Sequence, residues 1–389
     1  MLDLAVLDLL KFRLLADGVY VHPSAAGAWR ELYGGPLTLG EYATTAGIGL
    51  LLPGDRYVNA PLIAEPDVRY SCVLRHEADG FFLVHRSDEP VPVEVMPVAT
   101  FHDDEMVDRF DGQVRPMRSY GVTHTDRCRV SPIAGCAWKC RFCDLPYELT
   151  YRKKHTDNLL EVIIAADKDP LTPARHVLVS GGTPRGGRAG ESDEDWIDSV
   201  YCDLAERSPL PIEVMMAPRR DHTHPARMRQ AGVRGLSINF EISDPKRAAL
   251  ITPQKAQYSR VEVLRYIERA VDEFEPFAIQ SLMVFGAAIE PLESTLEGVR
   301  DLAERGCVPV LSPFRPHPIT PMADAPAATF DEIVEVYRRS VEICVRAGTG
   351  VLPGPRCVPC HHNTIAVPVD VPFYLSSQQE GVRVACPTS

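Results

Sequence analysis

The sequence lacks a membrane-length apolar run near its N-terminus. Ile48 to Pro53 in "GIGLLLPG" is the longest there, far short of the ~20 residues a spanning helix needs. It also lacks a surplus of positive charge. A formal net charge of −12 disfavours broad binding to nucleic acid or anionic membrane, either of which needs Lys and Arg massed on one face. Neither a fixed-period repeat nor a low-complexity segment is visible. Cysteine is almost missing from the first 127 residues, where Cys72 is the one member of the chain's eleven. The opening stretch "MLDLAVLDLLKFRLLADG" has no basic leader, carries Asp3 and Asp8 inside its apolar run and stops at Gly18. The expectation is a packed helix and a cytoplasmic protein. In that reducing compartment cysteines read as metal ligands, reactive thiols and core residues rather than as a disulfide framework.

What is present is an ordinary globular composition of 389 residues, 45% hydrophobic and 24% charged, enough for about two to three domains. Residues 1–120 read as an α+β module of unknown role, since "YSCVLRHEADGFFLVHRS" alternates and turns like a hairpin. From Arg127 onward short β-rich runs alternate with amphipathic helices: "RVSPI", "HVLVSGG", "IEVMMAP", "GLSINFE", "IQSLMVFG" and "VPVLSPF" are six strands with helical stretches between them. That order predicts an α/β fold, a parallel sheet curved into a partial barrel over 121–325, with chemistry at the strand ends. Residues 326–389 are a last helix and a cysteine-containing C-terminal tail.

"GCAWKCRFCDLPY" places Cys136, Cys140 and Cys143 within eight residues. Thiolates are soft ligands that select zinc or an iron–sulfur cluster. Structural zinc wants four ligands, commonly as two separated pairs, and Cys-x3-Cys-x2-Cys is not a pair. A [4Fe-4S] cube held by three cysteines leaves one iron open for a small-molecule ligand. The residues resemble the radical S-adenosylmethionine (SAM) superfamily, whose Cys-x3-Cys-x-aromatic-Cys signature is matched by Cys136, Cys140, Phe142 and Cys143. The resemblance implies a partial (β/α)6 TIM-type barrel, a [4Fe-4S] cluster, and SAM cleaved to a 5′-deoxyadenosyl radical. "VSGGTP" looks like the glycine-rich SAM-binding motif, implying Ser180, Gly181, Gly182 and Thr183 as contacts. "SINFEIS" resembles an element of biotin synthase-like members that places Asn239 and Glu241 on the ribose. "LMVFGAAIE" is similar to the fifth-strand glycine region, implying Gly286, and "VLSPFRPHPITPM" is similar to the sixth-strand adenine-contacting segment. The chain departs from the cobalamin-dependent branch, with no Asp-x-His-x-x-Gly element in its first 120 residues.

Two regions stay open at this level. In "RCVPCHHNT" the pair Cys357 and Cys360, with distant Cys386, fits a second iron–sulfur cluster resembling that of the molybdopterin-precursor cyclase. The alternatives are structural zinc with a histidine ligand, and a free thiol pair near the substrate or simple tail packing. Arg219 and Arg220 after the third strand, and Arg315 and His317 after the sixth, are substrate candidates for a carboxylate or phosphate, against a reading as surface pairing. "YRKKH", Tyr151 to His155, is either a solvated basic face or a dock for an acidic electron donor such as flavodoxin or ferredoxin. The function expected is hydrogen abstraction from a small organic substrate in a biosynthetic pathway, with no nucleic-acid or membrane partner. The alternatives are peptide or protein modification, and a non-catalytic iron–sulfur carrier or sensor.

Overall fold

The computed structural model describes residues 4–34, 47–64, 72–78, 80–85, 89–186 and 193–371. Six strands repeat one pattern of four to seven residues: β1 (Arg127–Val130), β2 (His176–Val179), β3 (Ile212–Met216), β4 (Gly235–Ile238), β5 (Ile279–Phe285) and β6 (Val308–Pro313). They pair in parallel in chain order, with Arg127 opposite His176, Val177 opposite Ile212, Met216 opposite Ile238 and Phe285 opposite Pro313. Every residue of β2 and β4 is buried, as a sheet covered on both faces demands. The connecting helices include Thr156–Asp167, Glu194–Arg207, Arg260–Glu273 and Leu292–Glu304. Capping fixes where helices begin. Ser259 and Glu262 form a reciprocal capping box at the start of Arg260–Glu273, satisfying amides that the first turn leaves without partners. The architecture is the partial (β/α)6 TIM-type barrel expected from the strand order. One strand was not foreseen: Gly121–His124 runs antiparallel along β1, turning back at Thr125–Asp126.

The N-terminal residues form the expected helix, Val6–Asp17, ended by Gly18 at φ 76°, and a six-stranded sheet. Its order is Val19–Val21, Cys72–Glu77, Gly80–His85, Val91–Val95, Ile48–Leu52 and Arg56–Ala60. The hairpin is there, Cys72 facing His85. This sheet does not carry a separate core. A single hydrophobic cluster runs from Phe12 through the barrel to Val367, and the Phe12 ring lies 5.2 Å from that of Tyr337 on the Phe330–Ala347 helix.

The C-terminal tail passes across the N-terminal ends of the barrel strands. The Gly354 amide donates to the Pro309 carbonyl on β6 at 2.9 Å, Arg356 reaches Glu213 on β3 at 3.3 Å, and Cys357 and Cys360 lie against His176 of β2. The chain then rises along β6, where the Ile365 amide donates to the Leu311 carbonyl. Lys11 joins the N-terminal helix to this tail by donating to the carbonyls of His361 and Ala366. Among the described residues no helix is long and apolar enough to cross a membrane.

Candidate active site

The cysteine loop follows β1. A two-stranded ribbon, Ile133–Ala134 with Arg152–Lys153, closes its base, and Gly135 turns into it at φ 65°. The carbonyl of Leu149 would lie 2.4 Å from any Cβ at Gly135, so no larger residue fits there without moving backbone. Cys136, Cys140 and Cys143 are all partly buried. Cys136 Sγ accepts from the Thr183 amide at 3.2 Å and the Trp138 amide at 3.4 Å. Burial pushes the Cys143 thiol up to about 12 and raises Cys140 as well; Cys136 lies close enough to add to both shifts. Three thiolates crowded together in a poorly solvated loop need positive charge to offset them, which is what a metal cluster supplies. The donor set therefore fits the cluster that the sequence motif implies.

The end of β2 presses directly on this loop. A Cβ at Gly182 would stand 1.8 Å from the Gly135 carbonyl oxygen and 2.9 Å from Cys136 Cα, and one at Gly181, where φ is 119°, 2.0 Å from Ser131 Oγ. The glycines are needed to let two backbone segments close on each other, a packing role beyond the ligand contact that the motif implies. Thr183 spends both backbone groups on the loop, its carbonyl accepting from the Ala137 amide. Ser180 Oγ accepts from Arg129 Nε at 2.6 Å. Phe142 packs onto a small apolar cluster at the far strand ends, with Ile242, Val284 and Phe314 among its members.

Glu241 stands just past β4 in a left-handed conformation, φ 62°, sparsely populated by residues other than glycine. β5 holds it there: the Glu241 amide donates to the Leu282 carbonyl and its carbonyl accepts from the Val284 amide. Its Oε1 lies 2.6 Å from Lys255 Nζ, while its Oε2 is buried without a hydrogen-bond partner. A buried carboxylate oxygen left unsatisfied is costly, and a ligand hydroxyl would satisfy it. Asn239, nearly buried, accepts from Ser237 at 2.9 Å and offers its carbonyl to Lys255. Lys255 was not found from sequence, having no pattern to mark it. Its neighbours also anchor the cysteine loop, since the Arg141 amide donates to the Ile251 carbonyl and the Lys139 amide to Gln254 Oε1.

Gly286 ends β5 at φ 137° and lines a cavity of about 600 Å³ with Arg247, Glu290 and Glu332. Glu290, which no pattern in the glycine segment marks, accepts from the amides of Ser243 and Asp244 and from Thr295. It thereby ties the loop after β4 to the loop after β5. A second cavity, of about 390 Å³, lies beside the cysteine loop and is lined by Arg129, Arg152, Lys154 and Leu149. No triplet sulfur lines either cavity.

The four substrate candidates separate. Arg219 is buried and paired with Asp198 at 3.1 Å. Arg220 is exposed beside the Tyr258 ring. Arg315 donates to the Asn59 carbonyl of the N-terminal sheet at 3.1 Å, and its Nη1 is buried without a partner. Burial lowers its guanidinium to about 10. His317 Nδ1 is likewise buried and unpartnered. The "YRKKH" run is largely used inside the chain: Arg152 pairs with Asp108, Lys153 with Asp193 at 2.6 Å, Lys154 donates to the Ser119 carbonyl, and His155 caps the next helix. A free basic face is not what these residues make.

Cys357 and Cys360 are at the other end of the barrel. Their neighbours are Asp126 and His176, not His361 or His362, whose rings bond to the carbonyls of Pro355 and Pro359. Cys386 lies outside the described residues.

Residues 130–299 match the family model of the radical SAM superfamily. This stretch is a radical SAM domain. The chain is similar in structure to a radical SAM methyltransferase from Sphaerobacter thermophilus, with 18% identity, coverage of 67% of this chain and 76% of that one, and a TM-score of 0.43. It is similar also to the [FeFe]-hydrogenase maturase HydG from Carboxydothermus hydrogenoformans (12%, 57% and 52%, 0.44) and to coproporphyrinogen III oxidase HemN from Escherichia coli (15%, 58% and 54%, 0.39). The chain spans about half the length of the last two. Among curated proteins none matches the sequence. The radical SAM domain thus covers the cysteine loop, β2 to β5 and Glu241, and excludes the N-terminal sheet and the tail.

Proposed function

We propose that the chain is a radical SAM enzyme acting on a small anionic organic substrate, in which Cys136, Cys140 and Cys143 hold a [4Fe-4S] cluster. When bound, cluster and SAM together supply a 5′-deoxyadenosyl radical able to take a hydrogen atom from substrate. The observation that carries the reading is the docking of the cysteine loop on the end of β2, with Cys136 Sγ accepting from the Thr183 amide and Glu241 Oε2 left buried and unsatisfied. Amide donors to a coordinating sulfur stabilise its negative charge. In this reading Glu241 and Asn239 receive ribose hydroxyls, Lys255 holds the Glu241 carboxylate in place, and the segment Ser180–Thr183 with Gly286 completes the SAM cradle. Phe142 keeps solvent from one side of it.

Arg315 and His317 are assigned to the substrate. Each presents a buried, unpartnered nitrogen past the end of β6, and no carboxylate among the described residues pairs with Arg315. A carboxylate or phosphate would supply the missing partner. Residues 1–120 then serve as a wall of the site, because Asn59 reaches Arg315. Residues 121–325 are assigned to the barrel and 326–389 to the last helix and tail, of which the segment from Gly354 to Ala366 ties wall to barrel. A small acidic reductant such as flavodoxin or ferredoxin is the electron donor this chemistry calls for. Anaerobic reconstitution followed by an assay for 5′-deoxyadenosine tests the proposal. Reductive cleavage of SAM is expected in the reconstituted protein, stimulated by anionic small molecules and reduced at least tenfold in Arg315→Met at subsaturating substrate. A reconstituted [4Fe-4S] protein that neither binds nor cleaves SAM would overturn it and favour an electron carrier.

A further inference from the structure

We propose that Asp126, His176, Cys357 and Cys360 bind a single zinc ion that fastens the C-terminal tail across the floor of the barrel. The four ligand atoms lie within 4.8 Å of one another, and all four residues are buried. His176 Nε2 is 3.5 Å from Cys357 Sγ and 3.4 Å from Cys360 Sγ. Asp126 Oδ1 is 3.7 Å from Cys357 Sγ and 4.0 Å from His176 Nε2. A tetrahedral zinc with bonds of about 2.3 Å to sulfur and about 2.0–2.2 Å to nitrogen and oxygen sets its ligands about 3.3–3.8 Å apart, so the corners are already close to the spacing one ion requires. A cubane cluster does not fit this spacing, because its four irons would have to stand between the same atoms.

The surroundings are those of a metal site. Arg175 donates to Asp126 Oδ2 at 2.6 and 3.1 Å, which leaves Oδ1 for the ion. The opposite ring nitrogen of His176, Nδ1, faces Glu213 Oε2 at 3.9 Å, and Arg356 holds the other oxygen of Glu213. A carboxylate behind the distal nitrogen orients a ligating imidazole and raises its basicity. With two sulfurs, a nitrogen and an oxygen from the protein, no coordination position remains for a substrate, the mark of a structural ion.

Location gives the ion its role. His176 opens β2 and Ser180 follows its end, so the two sites lie about 13 Å apart along the strand alone. Asp126 belongs to the turn before β1, and the Thr125 hydroxyl reaches the Pro359 carbonyl at 3.3 Å. Past the ligands the same tail receives Lys11 from the N-terminal helix. One ion thus closes loops of 50 and 181 residues between its ligands (176 − 126 and 357 − 176), a cross-link that stabilises by restricting the unfolded chain.

The test is elemental analysis of protein purified without added metal, beside the triple variant Cys136→Ala, Cys140→Ala, Cys143→Ala and the double variant Cys357→Ser, Cys360→Ser. About one zinc per chain is expected in wild type and triple variant alike, and loss of at least nine-tenths of it in the double variant. Should the double variant fail to fold, Co(II) exchange into the triple variant, which lacks the loop thiolates, decides. Intense visible bands of tetrahedral cobalt with a thiolate charge-transfer band support the site, and an octahedral spectrum overturns it. Iron retained by the triple variant, a Cys357–Cys360 disulfide in protein kept under reductant, or a wild type without zinc would each overturn the proposal.

Discussion

The two cysteine sites of this chain sit at opposite ends of the same strands and are built in opposite ways. At the C-terminal end three sulfurs come from eight consecutive residues on a partly exposed loop, and distant segments arrive only to brace it. At the N-terminal end no two of the three segments are neighbours in sequence, and every ligand is buried. In the proposed reading the site that admits cofactor and substrate keeps its donors on one loop. A site that only joins segments draws its donors from each segment it joins. The difference teaches that cysteine spacing reports function only where the donors are local.

The comparison breaks most completely if the loop cysteines prove dispensable. Replacing Cys136, Cys140 and Cys143 together by Ala should abolish 5′-deoxyadenosine formation while the protein stays folded, since the loop contributes little to the core. Cleavage undiminished by product analysis would end the assignment. Next in size is Gly182→Ala. Its Cβ meets backbone, the Gly135 carbonyl at 1.8 Å, so the loop must move at a cost of about 2 kcal/mol or more. Iron content after reconstitution and SAM cleavage should both fall, with metal at the opposite end untouched.

A smaller effect separates ligand binding from loop assembly. Glu241→Ala should weaken SAM binding about tenfold to a hundredfold, the worth of one charge-assisted hydrogen bond of about 1.5–3 kcal/mol, without loss of iron. Titration calorimetry with SAM measures it. Lys255→Met should reproduce part of the loss if Lys255 acts by aiming Glu241, and an unchanged affinity in both variants would remove the carboxylate from the site.

The smallest concerns the N-terminal edge of the barrel. Burial holds His102 down to about 4, and its Nε2 accepts from the Thr123 amide at 3.0 Å. Because the folded pKa lies below the unfolded value, the unfolded state binds the extra proton between about pH 6.5 and pH 4. Stability should therefore fall as pH drops through that window, by an amount on the order of 3 kcal/mol. His102→Gln keeps an acceptor without a titrating group, so urea unfolding at pH 5 and pH 7 should differ less in the variant. An equal pH slope in both proteins would show that His102 does not carry it.

Much of the barrel was legible because its strands read as short β-rich runs, β2 and β4 buried throughout, and amphipathic helices stand between them. The added strand Gly121–His124 escaped notice because four residues without alternation carry no periodic signal. Glu290 lies in the glycine segment without any local pattern to mark it, since its work of joining two loops exists only when those loops are adjacent. In the tail, proximity in sequence points to His361 and His362 as partners of the cysteine pair. The structure turns both rings to backbone carbonyls and brings in His176 instead.

Sequence alone determined the cysteine loop, the strand order and the positions of Ser180, Asn239 and Glu241 at strand ends, because each depends on residues close in the chain and on a periodicity that local geometry imposes. Only the tertiary structure decided that Lys255 reaches Glu241, that Arg219 is spent on Asp198 while Arg315 turns to the Asn59 carbonyl, and that Asp126 and His176 meet Cys357 and Cys360. Those meetings depend on how a sheet curves and where a tail crosses it. No short-range preference encodes such a path, since it is set by burying one continuous core.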